Sequence, residues 1–177
     1  MGGPHVTALP RSTLQSVPAL DAVILGEGEI SMLAVAAEFD ARGKVDFNKI
    51  PGAAFLEGAH YREVPRPAPI SDLDSLPYPA RDLADIGLYK RGQNRVTLIS
   101  SRGCPAQCTF CANVCMGRKF RAHSPAYVVG EMAYLAKKYG VRHFRFEDDC
   151  FTADQDRVIR ICDLIIEARL DITWAAS

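Results

Sequence analysis

The sequence predicts an α/β fold in which strands alternate with covering helices. Three observations lead there. Short apolar runs end at glycine or at charged turns, as buried strands of a parallel sheet do. Between them lie segments with apolar residues at helical spacing, bounded by capping residues and stopped by glycine. From residue 95 onward the two patterns alternate strictly, strand first, which calls for parallel strands joined by right-handed crossovers.

Taken in order, Asp21-Ala-Val-Ile-Leu-Gly26 is the first apolar run and reads as a buried parallel strand. A helix follows in which Ile30, Leu33, Ala34, Ala37 and Ala41 share one face, with Gly43 as its stop. Residues 46–90 are punctuated by proline and read as a connector. Within it, Ala53–Leu56 and Tyr61–Val64 flank Glu57-Gly58-Ala59-His60 as a small β-hairpin. Arg95–Ser100 is strand-like and runs into a cysteine loop. Ser124-Pro125 opens a helix through Tyr139, ended by Gly140, with Val128, Met132, Leu135, Ala136 and Tyr139 as its apolar stripe. Val141–Phe146 is the next strand. Thr152-Ala-Asp-Gln155 resembles a capping box for a helix that turns Val158, Ile161, Cys162 and Ile165 inward. Asp171-Ile-Thr-Trp174 starts a third strand. The order β-α-β-α-β suits a barrel or an open doubly wound sheet.

Composition narrows the function. Lys plus Arg and Asp plus Glu are equal at 21 each, so the basic excess of a nucleic-acid binder is missing. Arg118, Lys119 and Arg121 form a dense basic group that reads as a solvated turn. No apolar run approaches the roughly 18 residues of a membrane span, and the N-terminus has no secretion signal, so a cytoplasmic protein is expected. In that reducing setting clustered cysteines suggest metal rather than disulfides.

Cys104, Cys108 and Cys111 fall within eight residues directly after a strand. Thiolates suit both zinc and iron–sulfur clusters. Structural zinc sites usually close four ligands from two separated pairs, and no second pair is present. Three thiolates can instead hold three irons of a 4Fe–4S cube and leave the fourth open. Cys115 partly echoes a ferredoxin run, but Cys104 is one residue too far for that pattern. Cys150 and Cys162 read as small core hydrophobes. A zinc-binding or ferredoxin-like module without catalysis stays open as the alternative.

Ser101-Arg-Gly-Cys104-Pro-Ala-Gln-Cys108-Thr-Phe-Cys111 resembles the signature of radical S-adenosylmethionine enzymes, including the aromatic before the third cysteine. The resemblance implies that the three cysteines bind a 4Fe–4S cluster and that the open iron takes the amino and carboxylate groups of S-adenosylmethionine. It implies that Phe110 lies against the adenine. It implies an external electron donor such as flavodoxin or ferredoxin, and a small-molecule substrate. At the end of the second predicted strand the family carries a polar motif that holds the ammonium of S-adenosylmethionine; Glu147, Asp148 and Asp149 stand there. A solvated turn before a helix N-terminus explains the same three acids.

Gly2-Gly3-Pro4-His5, followed by the apolar run and Gly26-Glu27-Gly28-Glu29, is similar to the tail half of a cobalamin-binding domain. Glycine there lets backbone approach the cofactor, since no Cβ intervenes. Gly26-Glu-Gly28 is no dinucleotide fingerprint, because Ser31 stands where a third glycine belongs. His5 reads as a turn residue and not as a cobalt ligand. Gly2, Gly3, Gly26 and Gly28 are therefore expected to contact cobalamin; a cobalamin-free relic is the rival. On this resemblance, residues 1–45 are the C-terminal part of a Rossmann-like cobalamin-binding domain and 46–90 a linker with a hairpin. Residues 91–177 are the first β-α-β-α-β part of a radical S-adenosylmethionine barrel. The chain is expected to be an incomplete piece of a larger enzyme, inactive alone. The subgroup includes methylases of unactivated carbon and the anaerobic magnesium-porphyrin monomethyl ester cyclase.

Overall fold

A computed structural model describes residues 1–84, 95–113 and 115–176. They fall into two units, Met1–Pro69 with Thr109–Gly117, and Ile70–Cys108 with Arg118–Ser177. The end of the expected linker, residues 85–90, and its junction with the next strand lie outside the described residues.

In the first unit, Pro4 and Pro10 start two short helices that the hydrophobic pattern did not announce, α1 (Pro4–Ala8) and α2 (Pro10–Ser16). Strand β1 (Ala22–Ile24) leads through Gly26–Gly28 into α3 (Glu29–Arg42), which ends at Gly43. Strand β2 (Ala53–Glu57) pairs antiparallel with β1, Ala22 opposite Phe55 and Ile24 opposite Ala53. Strand β3 (His60–Glu63) then completes the expected hairpin, giving the order β1-β2-β3.

Two expectations are corrected here. β1 has an antiparallel partner, not a parallel one, because the chain after α3 turns at Gly43 and Gly52, both with positive φ, and returns running the other way. The hairpin is no ornament of a linker, since its first strand is the centre of this sheet.

Alternation along β1 sends side chains to two small cores. Val23 and Leu25 pack with Val6, Leu14 and Ala54. Ile24 packs with Ile50 and Ala53, and Ala34 and Val35 of α3 lie against them. The face of α3 is also corrected: Ile30 and Leu33 are exposed, while Ser31 is buried and its hydroxyl donates to the Pro51 carbonyl at 2.6 Å. The helix carries apolar residues nearly all round, so periodicity could not choose the inward face. The Ser31 hydrogen bond belongs to the turn that is chosen.

The second unit carries the predicted alternation. β4 (Arg95–Leu98), β7 (His143–Phe146) and β8 (Thr173–Ala176) form a parallel sheet in that order. Leu98 lies opposite Phe146, and Phe146 opposite Ala176. Two short strands, β5 (Ser101–Arg102) and β6 (Arg121–Ala122), pair antiparallel around the cysteine loop. Helix α4 (Pro125–Tyr139) starts as expected: the Ser124 hydroxyl accepts from Tyr127 N at 3.1 Å, and Gly140 ends it. Val128, Met132, Leu135, Val96, Phe144 and Phe146 form the centre of the core under α4 and α5 (Gln155–Glu167).

The capping box expected at Thr152 is displaced by two residues. Residues Phe151–Ala153 form a 3-10 turn, and Asp154 caps α5 by accepting from Arg157 N at 3.0 Å.

From Ile70 the expected linker straps onto the second unit. Asp74 accepts from Ser124 N and from His123, Tyr127 donates to the Leu76 carbonyl, and Arg81 pairs with Glu131 at 3.1 Å. Tyr78 passes so close to α4 that a Cβ at Gly130 would meet its hydroxyl at 2.5 Å. Among the described residues no helix is long and apolar enough to cross a membrane.

The shifted cap is measurable. Asp154→Ala should lower the stability of the second unit by about 1 kcal/mol in urea unfolding. Thr152→Ala, at an exposed position, should stay within about 0.5 kcal/mol of the parent. The reverse order would return the cap to Thr152.

Candidate functional site

The cysteine loop begins where the parallel sheet stops. Glu147 N donates to the Leu98 carbonyl at 2.9 Å, which carries the β4–β7 pairing past the strand ends. The next acid on β7's extension, Asp148, is buried and takes the chain leaving β4. Ser100 N donates to its Oδ1 at 2.6 Å, and the Ser100 and Ser101 hydroxyls donate to its Oδ2 at 2.6 and 2.7 Å. From the other side, His123 N and Arg157 Nη2 both donate to the Ser100 carbonyl, at 2.9 and 2.8 Å. Gly103 follows with φ +81°, a left-handed turn that a side chain would resist, and its N–H donates to Asp149 Oδ2 at 3.0 Å. Cys104 is the next residue. Beyond it, Arg118 Nη1 donates to the Ala106 carbonyl.

All six cysteines are free; Cys104 is half-buried, and Cys108 and Cys111 are exposed. Among the described residues no three Cys, His, Asp or Glu side chains converge on one point, so the three thiols are not drawn into a preformed single-ion site. A cubane binds each thiolate through a separate iron, so its ligands stand farther apart than those of a single ion. Three free thiols on one loop, none spent in a disulfide, are a donor set that fits it. The segment Thr109–Gly117, which carries Phe110 and Cys111, groups with the first unit. There Cys115 Sγ donates to the Gly26 carbonyl at 3.4 Å. Phe110 is 91% exposed, its ring bare.

The three acids differ. Asp148 has both oxygens occupied by neutral donors. Asp149 is exposed and holds Gly103, and Glu147 is half-exposed and pairs with Arg145. Cys150 was expected to be a core hydrophobe but is half-buried beside Cys104. Burial first, then the neighbouring Cys104 thiol, pushes its pKa up. Burial likewise lowers the pKa of Arg157 and of His123, the latter against the opposing pull of Asp74. Ser100, His123 and Arg157 carried no sequence signal, since their partners stand 23 to 57 residues away.

In the first unit, both glycine pairs lie by the C-terminal end of β1. Ile24 N donates to the Met1 carbonyl at 2.8 Å, and a Cβ at Gly2 would come within 3.6 Å of the Ile24 carbonyl. Gly26 N donates to the buried Thr7 hydroxyl of α1 at 3.0 Å. Gly3 has φ +107°, which side chains rarely adopt, and nothing lies within 4 Å of where its Cβ would be. The chain itself does not fill that space. Bare backbone facing open space is what a large planar ligand requires. Gly28 is the residue before α3, and its would-be Cβ just reaches Met32.

No model of a protein family matches the chain. Curated relatives do. The chain is 37% identical over its whole length to an uncharacterised methyltransferase of Pyrococcus horikoshii, covering 39% of that protein. It is 30% identical, again over its whole length, to the anaerobic magnesium-protoporphyrin IX monomethyl ester cyclase of Rubrivivax gelatinosus, covering 33% of it. Over 88% of its length it is 30% identical to the cytidylyl-2-hydroxyethylphosphonate methyltransferase of Streptomyces wedmorensis, covering 35% of that enzyme. The chain thus spans little more than a third of the relatives it matches. Among solved structures, the cobalamin-dependent S-adenosylmethionine radical enzyme OxsB, with aqua-cobalamin and S-adenosylmethionine bound, superposes on 98% of the chain. The TM-score is 0.79 at 19% identity, covering 25% of OxsB. The radical S-adenosylmethionine methyltransferase TsrM from Kitasatospora setae, which has been solved with cobalamin and a [4Fe-4S] cluster, superposes on 95% with TM-score 0.71 at 20% identity, covering 33% of that chain. By homology to these methyltransferases and cyclases, and by a fold shared with those solved enzymes, the chain belongs with the cobalamin-binding-domain radical S-adenosylmethionine family.

Proposed function

We propose that this chain carries the cluster loop and part of the cobalamin cradle of a radical S-adenosylmethionine enzyme that methylates or cyclises an unactivated carbon of a small molecule. The observation that carries the reading is Cys104-x-x-x-Cys108-x-x-Cys111 set directly after the first strand of a parallel β-α-β-α-β run. Cys104, Cys108 and Cys111 would hold the 4Fe–4S cluster. When bound, that cluster supplies the electron that cleaves S-adenosylmethionine to methionine and a 5′-deoxyadenosyl radical.

The chain's own residues bind and orient. Phe110, exposed on the loop, offers a face for the adenine. Of the acids at the end of β7, Glu147 is the one we assign to the ligand's ammonium, because Asp148 is buried and already accepts three hydrogen bonds from Ser100 and Ser101. Asp149, holding Gly103, stands at the rim. Gly2, Gly3, Gly26 and Gly28 would let backbone approach cobalamin at the end of β1, a role supported by the unfilled space at Gly3. The domain reading follows: the first unit, hairpin included, belongs to the cobalamin-binding domain, and the parallel sheet opens the barrel. We place the enzyme in the cytoplasm with a flavodoxin- or ferredoxin-type electron donor.

Anaerobic reconstitution tests the cluster. Wild-type protein should take up about four irons with matching acid-labile sulfide, and Cys104→Ala, Cys108→Ala and Cys111→Ala should each lose them. Cys115→Ala, Cys150→Ala and Cys162→Ala should keep them. Zinc without sulfide would favour the non-catalytic metal module, and loss in Cys115→Ala equal to that in Cys104→Ala would overturn the ligand assignment.

The cradle has its own test. A Gly2→Val, Gly3→Val double variant should bind cobalamin at least about tenfold more weakly in a spectroscopic titration, since side chains would enter the approach. Gly58→Val, in the hairpin turn with φ +61° and equally open surroundings, controls for backbone strain. Wild-type affinity in the double variant would favour a cobalamin-free enzyme.

A further inference from the structure

We propose that Asp148 and Asp149 are positioning residues for the cluster loop, with the buried charge of Asp148 keeping the cluster's reduction potential low. This rests on the cluster reading above and adds to it a role for two acids other than ligand contact.

The geometry points one way. Residues 100, 101 and 103, the run-up to Cys104, all donate to these two consecutive carboxylates. Three of the four bonds converge on Asp148, which is 7% exposed. A carboxylate buried to that degree costs several kcal/mol unless its oxygens are satisfied, so Asp148 and its donors hold one arrangement together or not at all. The Ser100 carbonyl is fixed independently by His123 N and Arg157 Nη2. Arg157 reaches the same knot. It spends Nε on the His123 carbonyl and Nη2 on Ser100, with no ion pair to Asp148 among the described residues, and its Nη1 is buried without a hydrogen-bond partner. The guanidinium thus offsets the Asp148 charge only through space.

That carboxylate also sits at the root of the cysteine loop: Asp148 accepts from Ser100 and from Ser101, three residues before Cys104. Net charge and hydrogen bonding around an iron–sulfur cluster set its potential, and a fixed anion makes adding an electron harder. Groups that orient metal ligands from behind commonly matter to retention as much as the ligands do. Asp149 is the complementary case: exposed, it owes the fold little, yet its bond to Gly103 N holds the turn immediately before the first thiolate.

The experiment uses the reconstituted full-length protein and reads iron and sulfide content, circular dichroism and the cluster midpoint potential by EPR-monitored titration. Asp149→Ala should keep the wild-type dichroism but retain its cluster about tenfold less well on challenge with a chelator. Asp149→Asn, which keeps an acceptor, should restore retention. Asp148→Asn preserves an acceptor for Ser100 N and removes the charge; it should bind a full cluster with a raised midpoint potential. Wild-type retention in Asp149→Ala, or an unshifted potential in Asp148→Asn, overturns the inference. Zinc without sulfide in the wild-type protein is a separate failure, of the cluster reading itself, and takes this inference with it.

Discussion

The second unit depends on a buried carboxylate being satisfied. Asp148 is buried, and the donors its carboxylate needs come from Ser100 and Ser101. Meeting that demand draws the end of β4 against the end of β7 beyond the last ladder pair. The same serine carbonyl that Arg157 and His123 hold ties in α5 and the strand before α4. Sheet, helices and cysteine loop therefore share one polar knot. The apolar core of Phe144, Phe146, Met132 and Leu135 makes the sheet stable. The knot decides where the chain leaves it.

A loop that offers thiols to a metal cluster has opposing requirements. Its thiols must be accessible, as Cys108 and Cys111 are, so it cannot be held by burial of its own side chains. Holding it at its root is the remaining option: hydrogen bonds to backbone at residues 100 and 103, and Arg118 on the Ala106 carbonyl. The first unit solves a related problem differently. Its sheet is small, with helices on both faces; beside the end of β1, Gly26 is held by Thr7 and Cys115, while Gly3 faces open space.

The parts of the fold that could be read from the residues are those governed by local rules. Ser124-Pro125 and Gly140 bound α4 where expected, because caps act within a few residues. The hairpin at Gly58 formed for the same reason. The inward face of α3 differs from the expected one because apolar residues run nearly all round the helix, and the Ser31 bond to Pro51 belongs to the side that is buried. Thr152 lost the cap to Asp154 because a 3-10 turn at Phe151 shifted the helix start.

The candidate site divides in the same way. Sequence by itself determined the cysteine spacing, the aromatic before Cys111, the glycine pairs and the order of strands, since each is a property of neighbours along the chain. Only the tertiary structure decided that β1 pairs antiparallel with the hairpin, that residues 70–84 join the second unit, and that Asp148 faces the protein's own serines. Those outcomes rest on hydrogen bonds between residues tens of positions apart, whose partners carry no mark in the sequence until folding brings them to bonding distance.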